Sequence, residues 1–149
     1  MNLRNAITRD GIRLGLQSDS KSEVIEELLD FMVESGKIID RKSAQKAIIE
    51  REKKMSTGMH HGIAIPHGKT DTVSSLVAVI GVKREGIEFD ALDKGVSTIF
   101  VMTVSPANRA GPHIQFLAEI SRLLNDEAVR KKIVGAQSSE EIYDIVIGH

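Results

Sequence analysis

Two long apolar runs constrain the fold of this chain more than any other feature. Residues 75–82 (Ser-Leu-Val-Ala-Val-Ile-Gly-Val) and 96–104 (Val-Ser-Thr-Ile-Phe-Val-Met-Thr-Val) show no alternation between polar and apolar positions. A strand of this composition is typically buried on both faces, in a sheet that helices cover. No stretch of the sequence approaches the ~20 apolar residues of a membrane-spanning helix. We therefore predict two buried strands in a helix-covered sheet.

The chain before these runs carries the signals of two helices. Ser20 and Glu23 form a capping box, and Gly36 is a plausible end for the helix that begins there. Its apolar positions have helical spacing: Val24, Leu28, Phe31 and Met32. Asp40 can cap a second helix, and Arg51 falls on the apolar stripe predicted for it. That stripe consists of Ala44, Ala47, Ile48 and Met55.

Another strand and three more helices complete the predicted order of elements. The strand is indicated by apolar residues that alternate with polar or small ones, at Ile12, Leu14 and Leu16. Pro112 is suited to be the first residue of a helix, and a short helix is predicted near residues 127–134. Ser138 and Glu141 form a capping box for a final helix through Val146. This order predicts a layered α/β domain that spans residues 1–149.

The composition excludes several classes of function. Lys and Arg total 20 against 21 Asp and Glu, and aromatic residues make up only 3%. Because nucleic-acid binding usually needs a basic surface or aromatic stacking platforms, no nucleic-acid partner is predicted. The chain has no cysteine, which excludes disulfides, thiolate metal sites and a cysteine nucleophile. No apolar signal segment is seen at the N-terminus, so we expect a cytoplasmic protein.

His67 is the first candidate for chemistry because of its two neighbours. Pro66 fixes its own φ angle, and Gly68 is expected to let the chain turn sharply and let a partner approach. The imidazole would then stand at the end of a short rigid segment, and a neutral imidazole is nucleophilic near pH 7. On the Pro-His-Gly tripeptide alone, a loop histidine that caps a turn is the more ordinary interpretation.

Gly68 and four other residues could support a phosphoryl group on such a nucleophile. His113 would lie in the first turn of a helix, whose dipole disfavours protonation and whose free N–H groups can hold an anion. It could equally be a polar residue at the top of the helix stripe. The guanidinium of Arg51 on an apolar face needs a phosphoryl group or carboxylate, unless its head extends to solvent. Ser56 and Thr57 could donate hydrogen bonds to a phosphoryl group or cap the preceding helix.

A histidine metal site is a weaker alternative. His60 and His61 could be combined with His67 and His113 as zinc ligands. Their spacing matches no familiar ligand motif, and no acidic residue lies between Glu52 and His67. We therefore predict neither a metal nor another cofactor.

Several segments in order resemble one protein family. Arg51-Glu52, Ser56-Thr57-Gly58 and Gly62-Ile-Ala-Ile-Pro-His-Gly68 resemble the active-site signature of the fructose–mannitol IIA domains of bacterial phosphotransferase systems. This family includes the nitrogen-regulatory IIA proteins. The resemblance continues downstream in Phe89-Asp90-Ala91-Leu92-Asp93, His113-Ile-Gln-Phe-Leu-Ala118, Leu123-Leu124 and Ala136-Gln-Ser-Ser-Glu-Glu141. It therefore covers nearly the whole chain.

The resemblance implies a fold and a set of roles. The fold would be a three-layer α/β/α sandwich with a mixed β-sheet flanked by helices. His67 matches the phosphorylated histidine, His113 the second active-site histidine, and Arg51 the active-site arginine. The donor would be the phosphohistidine of HPr or a paralogue, and the acceptor a cysteine of a separate IIB component. Contact with a membrane would be only indirect, through a IIC transporter.

Two departures from the family pattern stand out. His60 and His61 replace small or amide residues and could add charge or bulk at the mouth of the site. Residues 106–111 (Pro-Ala-Asn-Arg-Ala-Gly) form an unusual approach to His113. Three functions stay open: a sugar-uptake relay subunit, a regulatory protein that signals by its phosphorylation state, and a histidine-ligated metal hydrolase. The sequence names neither the sugar nor the regulatory target.

Overall fold

The computed structural model describes residues 3–148, so Met1, Asn2 and His149 of the predicted domain lie outside the described residues. Within this range the helices are α1 (Leu3–Ala6), α2 (Lys21–Glu34), α3 (Arg41–Lys54), α4 (Ala110–Leu124), α5 (Glu127–Val134) and α6 (Ser139–Ile147). The strands are β1 (Ile12–Leu14), β2 (Ile63–Ala64), β3 (His67–Thr70), β4 (Val77–Glu88) and β5 (Val96–Pro106), and Arg9–Gly11 forms a 3-10 turn. No helix in this range is long and apolar enough to cross a membrane.

The five strands form one mixed sheet in the order β1-β4-β5-β2, with β3 also paired to β5. β4 and β5 are antiparallel, whereas β1 is parallel to β4, and both β2 and β3 are parallel to β5. The two short strands lie one after the other along the same side of β5, with Ile63 opposite Ile99 and His67 opposite Thr103. His67 therefore begins a strand beside the longest buried run of the sheet.

The prediction of two buried strands is confirmed. Both strands extend beyond the predicted runs, β4 to Glu88 and β5 to Pro106. β1 is shorter than the alternating pattern indicated, because Gly15 adopts a φ of 87° directly after it. Leu16 nevertheless reaches the core, where it is 2% exposed.

Side chains on the two faces of the sheet enter two separate cores, which makes three layers. The core between the sheet and α2 and α3 includes Leu28, Met32, Ile48, Phe100 and Met102. The core between the sheet and α4, α5 and α6 includes Val101, Phe116, Ile120, Ile133 and Ile142. Successive β5 residues alternate between these cores because side chains of a strand point to opposite faces. The predicted three-layer α/β/α sandwich with a mixed sheet is confirmed.

Most helix boundaries follow the predicted caps. The side chains of Ser20, Asp40 and Ser138 each accept a hydrogen bond from a backbone N–H three residues later. Gly36 adopts a φ of 73° just after the end of α2, as a glycine stop requires. The short helix α5 has the predicted bounds, residues 127–134.

Two predicted details are wrong. α4 begins at Ala110, so Pro112 is its third residue rather than its first. A proline is tolerated there because the first four N–H groups of a helix have no partner within it. Met55 is 62% exposed, since α3 ends one residue before it. The buried positions of α3 are Ala44, Ile48 and Glu52.

Candidate active site

His67 is held by its own backbone neighbourhood. Its Nδ1 lies 2.7 Å from the carbonyl oxygen of Ile65. Because a carbonyl only accepts hydrogen bonds, Nδ1 carries the hydrogen, and the lone pair of the neutral ring lies on Nε2. Burial lowers the pKa of His67 below its ordinary value of 6.5, against the raising effect of the Ile65 hydrogen bond. The ring is therefore mainly neutral at pH 7, with Nε2 as its unprotonated nitrogen.

His113 lies beside His67 but is more deeply enclosed. The ring centroids are 5.2 Å apart with a 49° angle between the planes, and His113 is 5% exposed. Its Nδ1 is 3.0 Å from Oγ of Ser105. Burial, and after it the neighbouring His67 and Lys69, lowers the pKa of His113 to about 4. His113 is thus neutral at pH 7, and burial is the largest cause.

The two histidines share a cavity with Arg51. The cavity has a volume of about 370 Å³ and is lined by Ala47, Glu50, Arg51, Lys54, His67, Gly68, Lys69 and His113. Arg51 is half-buried at the rim, and its Nη1 donates a hydrogen bond of 2.7 Å to the carbonyl of Met55. Three cationic side chains and one carboxylate line this wall, which favours an anionic group next to His67.

Gly68 acts differently from the sequence prediction. It lies inside β3 and does not turn the chain. A Cβ atom at this position would lie 2.8 Å from the backbone carbonyl carbon of Ala47 and from the backbone nitrogen of Ile48. The close approach that needs glycine is therefore made by α3 of the same chain. This contact brings the helix that carries Arg51 against the strand that carries His67.

With the geometry established, comparison with known proteins identifies the family. The family model described as "Phosphoenolpyruvate-dependent sugar phosphotransferase system, EIIA 2" matches residues 5–148. The chain belongs to this EIIA family. The family resemblance seen in the sequence is thereby confirmed.

Relatives of this EIIA chain include sugar-specific EIIA components and nitrogen regulatory proteins. It is 39% identical over 127 residues to a fructose-specific EIIA component of Haloferax volcanii, covering 85% of this chain and 82% of the relative. It is 30% identical over 148 residues to a nitrogen regulatory protein of Escherichia coli, covering 98% of this chain and 90% of that protein. The fructose-specific EIIABC component of Bacillus subtilis is 32% identical over 149 residues, all of this chain, which spans only 24% of that longer protein.

Solved structures agree with the fold of the EIIA chain. The nitrogen regulatory protein IIA-Ntr of Neisseria meningitidis superposes with a TM-score of 0.84 at 25% identity, over 95% of this chain and 97% of that one. The IIA mannitol protein of Escherichia coli gives 0.80 at 24% identity, over 93% and 97% of the two chains. At 24% identity, the similarity to the IIA mannitol protein shows only that the two chains share a fold.

Ser56 and Thr57 do not line the cavity of the EIIA chain. The hydroxyl of Ser56 donates to the carbonyl of Phe89 at 2.8 Å, and that of Thr57 donates to Glu52 at 2.6 Å. A hydroxyl has one hydrogen, so both are already engaged. Geometry therefore favours a structural role for them over the predicted direct support of a phosphoryl group.

Glu52 is a residue of this site whose role the sequence prediction missed. Its buried carboxylate accepts hydrogen bonds from N–H and Oγ1 of Thr57, and lies 3.0 Å from Nζ of Lys21. The carbonyl of Thr57 in turn accepts from N–H of Ile65, whose carbonyl accepts from His67. Glu52 thus stabilises the segment that orients His67. The signature pair Arg51-Glu52 was visible in the sequence, but only its arginine was assigned a role.

Lys69 and Ser105 were also missed. Lys69 lies two residues after His67 in β3, so the alternation of a strand brings both to one face. A strand prediction for residues 67–70 would have found it. Ser105 lies in β5 and contacts His113 of α4. No local sequence pattern indicates that contact.

His60 and His61 lie outside this cavity. They are exposed and line a different cavity of about 350 Å³ with Ser121, Arg122 and Asn125 of the EIIA chain. The expectation that they stand at the mouth of the site is therefore wrong. Among residues 3–148 no group of three or more His, Cys, Asp or Glu side chains could hold a metal ion. The four-histidine zinc site considered from the sequence does not form.

Proposed function

We propose that this chain is a phosphoryl carrier in which Nε2 of His67 accepts a phosphoryl group from a phosphohistidine donor. The observation that carries the proposal is the hydrogen bond from Nδ1 of His67 to Ile65, which leaves the Nε2 lone pair free in a cation-lined cavity. Membership of the EIIA family supplies the chemistry of the reaction. The donor would be HPr or a paralogue.

The transfer needs no cofactor in this proposal. The Nε2 lone pair of His67 forms a bond to phosphorus while the phosphorus–nitrogen bond of the donor breaks, and that electron pair returns to the donor ring. The work of the protein is to position the groups and to stabilise charge on the equatorial oxygens. Arg51 and His113 line the same cavity and would hold these oxygens, and Lys69 would add positive charge. Arg51 would exchange its hydrogen bond to the Met55 carbonyl for one to the phosphoryl group.

The phosphoryl group would next pass to a cysteine thiolate of a IIB component. A sulfur–phosphorus bond forms as the Nε2–phosphorus bond breaks, and the electron pair returns to Nε2. One structural relative was solved as a complex of enzyme IIAMTL and phosphorylated enzyme IIBMTL from Escherichia coli. The 39% identity to a fructose-specific EIIA component supports this transport role.

A regulatory role is the second candidate. Nitrogen regulatory proteins of Klebsiella oxytoca and Escherichia coli are each 30% identical to this chain over 148 residues. In this role the phosphorylation state of His67 would change binding to a target protein. Acceptance of the phosphoryl group by purified IIB proteins separates the roles, because a regulatory protein needs no IIB acceptor.

The direct test is incubation with phosphoenolpyruvate, enzyme I and HPr. We expect acid-labile, base-stable phosphate on the wild type and none on His67→Ala. His60→Ala is the matched control, because it removes an exposed histidine outside the cavity and should be labelled as the wild type is. Equal labelling of wild type and His67→Ala would refute the assignment.

The second test concerns His113. We expect His113→Ala to fold and to be phosphorylated more slowly, since it removes the ring that lies 5.2 Å from that of His67 and leaves the hydrogen bond of His67 to Ile65 in place. Circular dichroism confirms folding. A wild-type transfer rate would show that the assigned role is wrong.

A further inference from the structure

His113 forms a buried hydrogen bond with Ser105 that the transfer mechanism proposed above does not use. Oγ of Ser105 lies 3.0 Å from Nδ1 of His113. Ser105 has no exposed surface, and His113 is 5% exposed. Water therefore does not compete for this contact, and the two groups must satisfy each other.

The fold places this hydroxyl beneath the first turn of α4. Ser105 is opposite Lys69 in the pairing of β5 with β3. It lies four residues beyond Val101, on the face of β5 that packs against α4. His113 enters from α4 on that same face, so the contact joins the sheet to the helix at the site.

The direction of this hydrogen bond follows from counting hydrogens. Within the described part of the chain, the Ser105 hydroxyl has no other hydrogen-bond partner than Nδ1 of His113. If the hydroxyl donates, its one hydrogen is paired and the ring hydrogen lies on Nε2. If Nδ1 donated instead, the hydroxyl hydrogen would be buried without an acceptor, which is unfavourable.

We propose that Ser105 is a positioning residue that donates to Nδ1 of His113 and holds His113 in the Nε2–H tautomer. The two histidines then carry opposite tautomers: His67 has its hydrogen on Nδ1 and His113 has its hydrogen on Nε2. The nucleophilic nitrogen of His67 is unprotonated, while His113 offers an N–H donor to the phosphoryl oxygens. The catalytic part of this inference rests on the proposed function; the tautomer does not.

Histidine 15N NMR of the unphosphorylated protein at pH 7 tests the tautomer directly. We expect the hydrogen of His113 on Nε2 in the wild type and a mixture of both tautomers in Ser105→Ala. Ser97→Ala is the matched control: Ser97 is equally buried in the same strand, and its hydroxyl has no hydrogen-bond partner within residues 3–148. It should leave the His113 tautomer unchanged.

Phosphorylation kinetics test the consequence. We expect Ser105→Ala to be phosphorylated on the order of 10-fold more slowly, in line with the loss of a group that orients a functional histidine. KM for the donor should be unchanged, because Ser105 is buried and cannot touch it. Ser105→Thr retains the hydroxyl and should restore most of the rate, and Ser97→Ala should match the wild type.

The outcomes separate this proposal from the proposed function. A wild-type His113 with its hydrogen on Nδ1 overturns the proposal, and so does a Ser105→Ala tautomer ratio equal to that of the wild type. A rate unchanged in Ser105→Ala overturns its catalytic part. Absence of phosphate on the wild type overturns the proposed function, while the NMR result still decides whether Ser105 sets the tautomer.

Discussion

Substitution of Gly68 by alanine tests how the site is assembled. A Cβ at Gly68 would lie 2.8 Å from backbone atoms of both Ala47 and Ile48, about 0.6 Å short of the 3.4 Å at which ordinary contact begins. Neither neighbour can rotate away, because both atoms belong to the backbone of α3. The helix must therefore move away from β3, and the distance between Arg51 and His67 must change with it.

The expected magnitude follows from this clash. Overpacking by one methyl group typically lowers the free energy of unfolding by about 1–3 kcal/mol. For a chain of this size each 1 kcal/mol corresponds to a fall in Tm of about 2–4 °C. Because displacements near 1 Å can slow catalysis on the order of 100-fold, we expect slower phosphoryl transfer to His67 in Gly68→Ala as well.

Urea denaturation, thermal melting and the phosphorylation assay measure these effects. Gly111→Ala is the matched control, since a Cβ at Gly111 would meet no atom within 4 Å and the residue lies in α4. There alanine should leave the free energy of unfolding unchanged or raise it by up to about 1 kcal/mol.

One result would refute the packing explanation. If Gly68 were kept for the approach of a partner protein, Gly68→Ala would retain wild-type stability and show only a raised KM for HPr. That result would support the sequence-based prediction that Gly68 lets a partner protein approach. A loss of stability without added HPr supports the contact between β3 and α3.

Three further predictions concern charged and titratable groups. Glu52→Ala should lower the free energy of unfolding by about 1–3 kcal/mol for each buried donor of Thr57 left unpaired, measured by urea denaturation. Lys69→Gln should raise the pKa of His67 and of His113 towards ordinary values, measured by NMR titration, because Lys69 lowers both. Lowering the pH from about 6.5 to about 4 should reduce stability, measured by denaturation at each pH. The reason is that His113 takes up a proton near pH 6.5 in the unfolded state but only near pH 4 in the folded state. Its contribution to the free energy of unfolding is therefore complete above pH 6.5 and is lost as the pH falls towards 4.

Each of these predictions has its own control or contrary result. Glu50→Ala changes an exposed carboxylate of the same helix and should alter the free energy of unfolding by no more than about 0.5 kcal/mol. An equal effect at Glu52 would show that its hydrogen bonds add nothing. Lys54→Gln removes a cavity lysine that is not among the main causes of either histidine pKa shift, and it should change both titrations less than Lys69→Gln does. Stability that stays constant between pH 6.5 and 4.5 would contradict the lowered pKa of His113.

The sheet and the helix ends were predictable because their causes are local. A strand that is apolar on both faces must be covered on both faces, so β4 and β5 were visible in the sequence. The caps at Ser20, Asp40 and Ser138 join residues three apart, and such contacts form whenever the helix does. β2 was too short for periodicity to identify, and β3 carries His67, Gly68 and Lys69 with no apolar alternation.

The assembly of the site depended on tertiary structure. Neighbouring positions of a helix point about 100° apart. The apolar stripe of α3 therefore predicted that Arg51 lies near the core, but it could not tell which of the adjacent residues Arg51 and Glu52 is buried. In the tertiary structure Arg51 lines the cavity with His67, and Glu52 is buried with its carboxylate on Thr57 and Lys21. The family resemblance named His67, His113 and Arg51, but not what orients them.

The sequence by itself determined the strands β1, β4 and β5 and the helices α2 to α6, and it marked the histidine that begins β3. Only the tertiary structure decided that Gly68 serves the packing of α3, and that Ser105 meets His113. The physical reason is range. Backbone preferences and caps act within a few residues, whereas these contacts arise when separate elements pack on the same strand and exclude water from the groups between them.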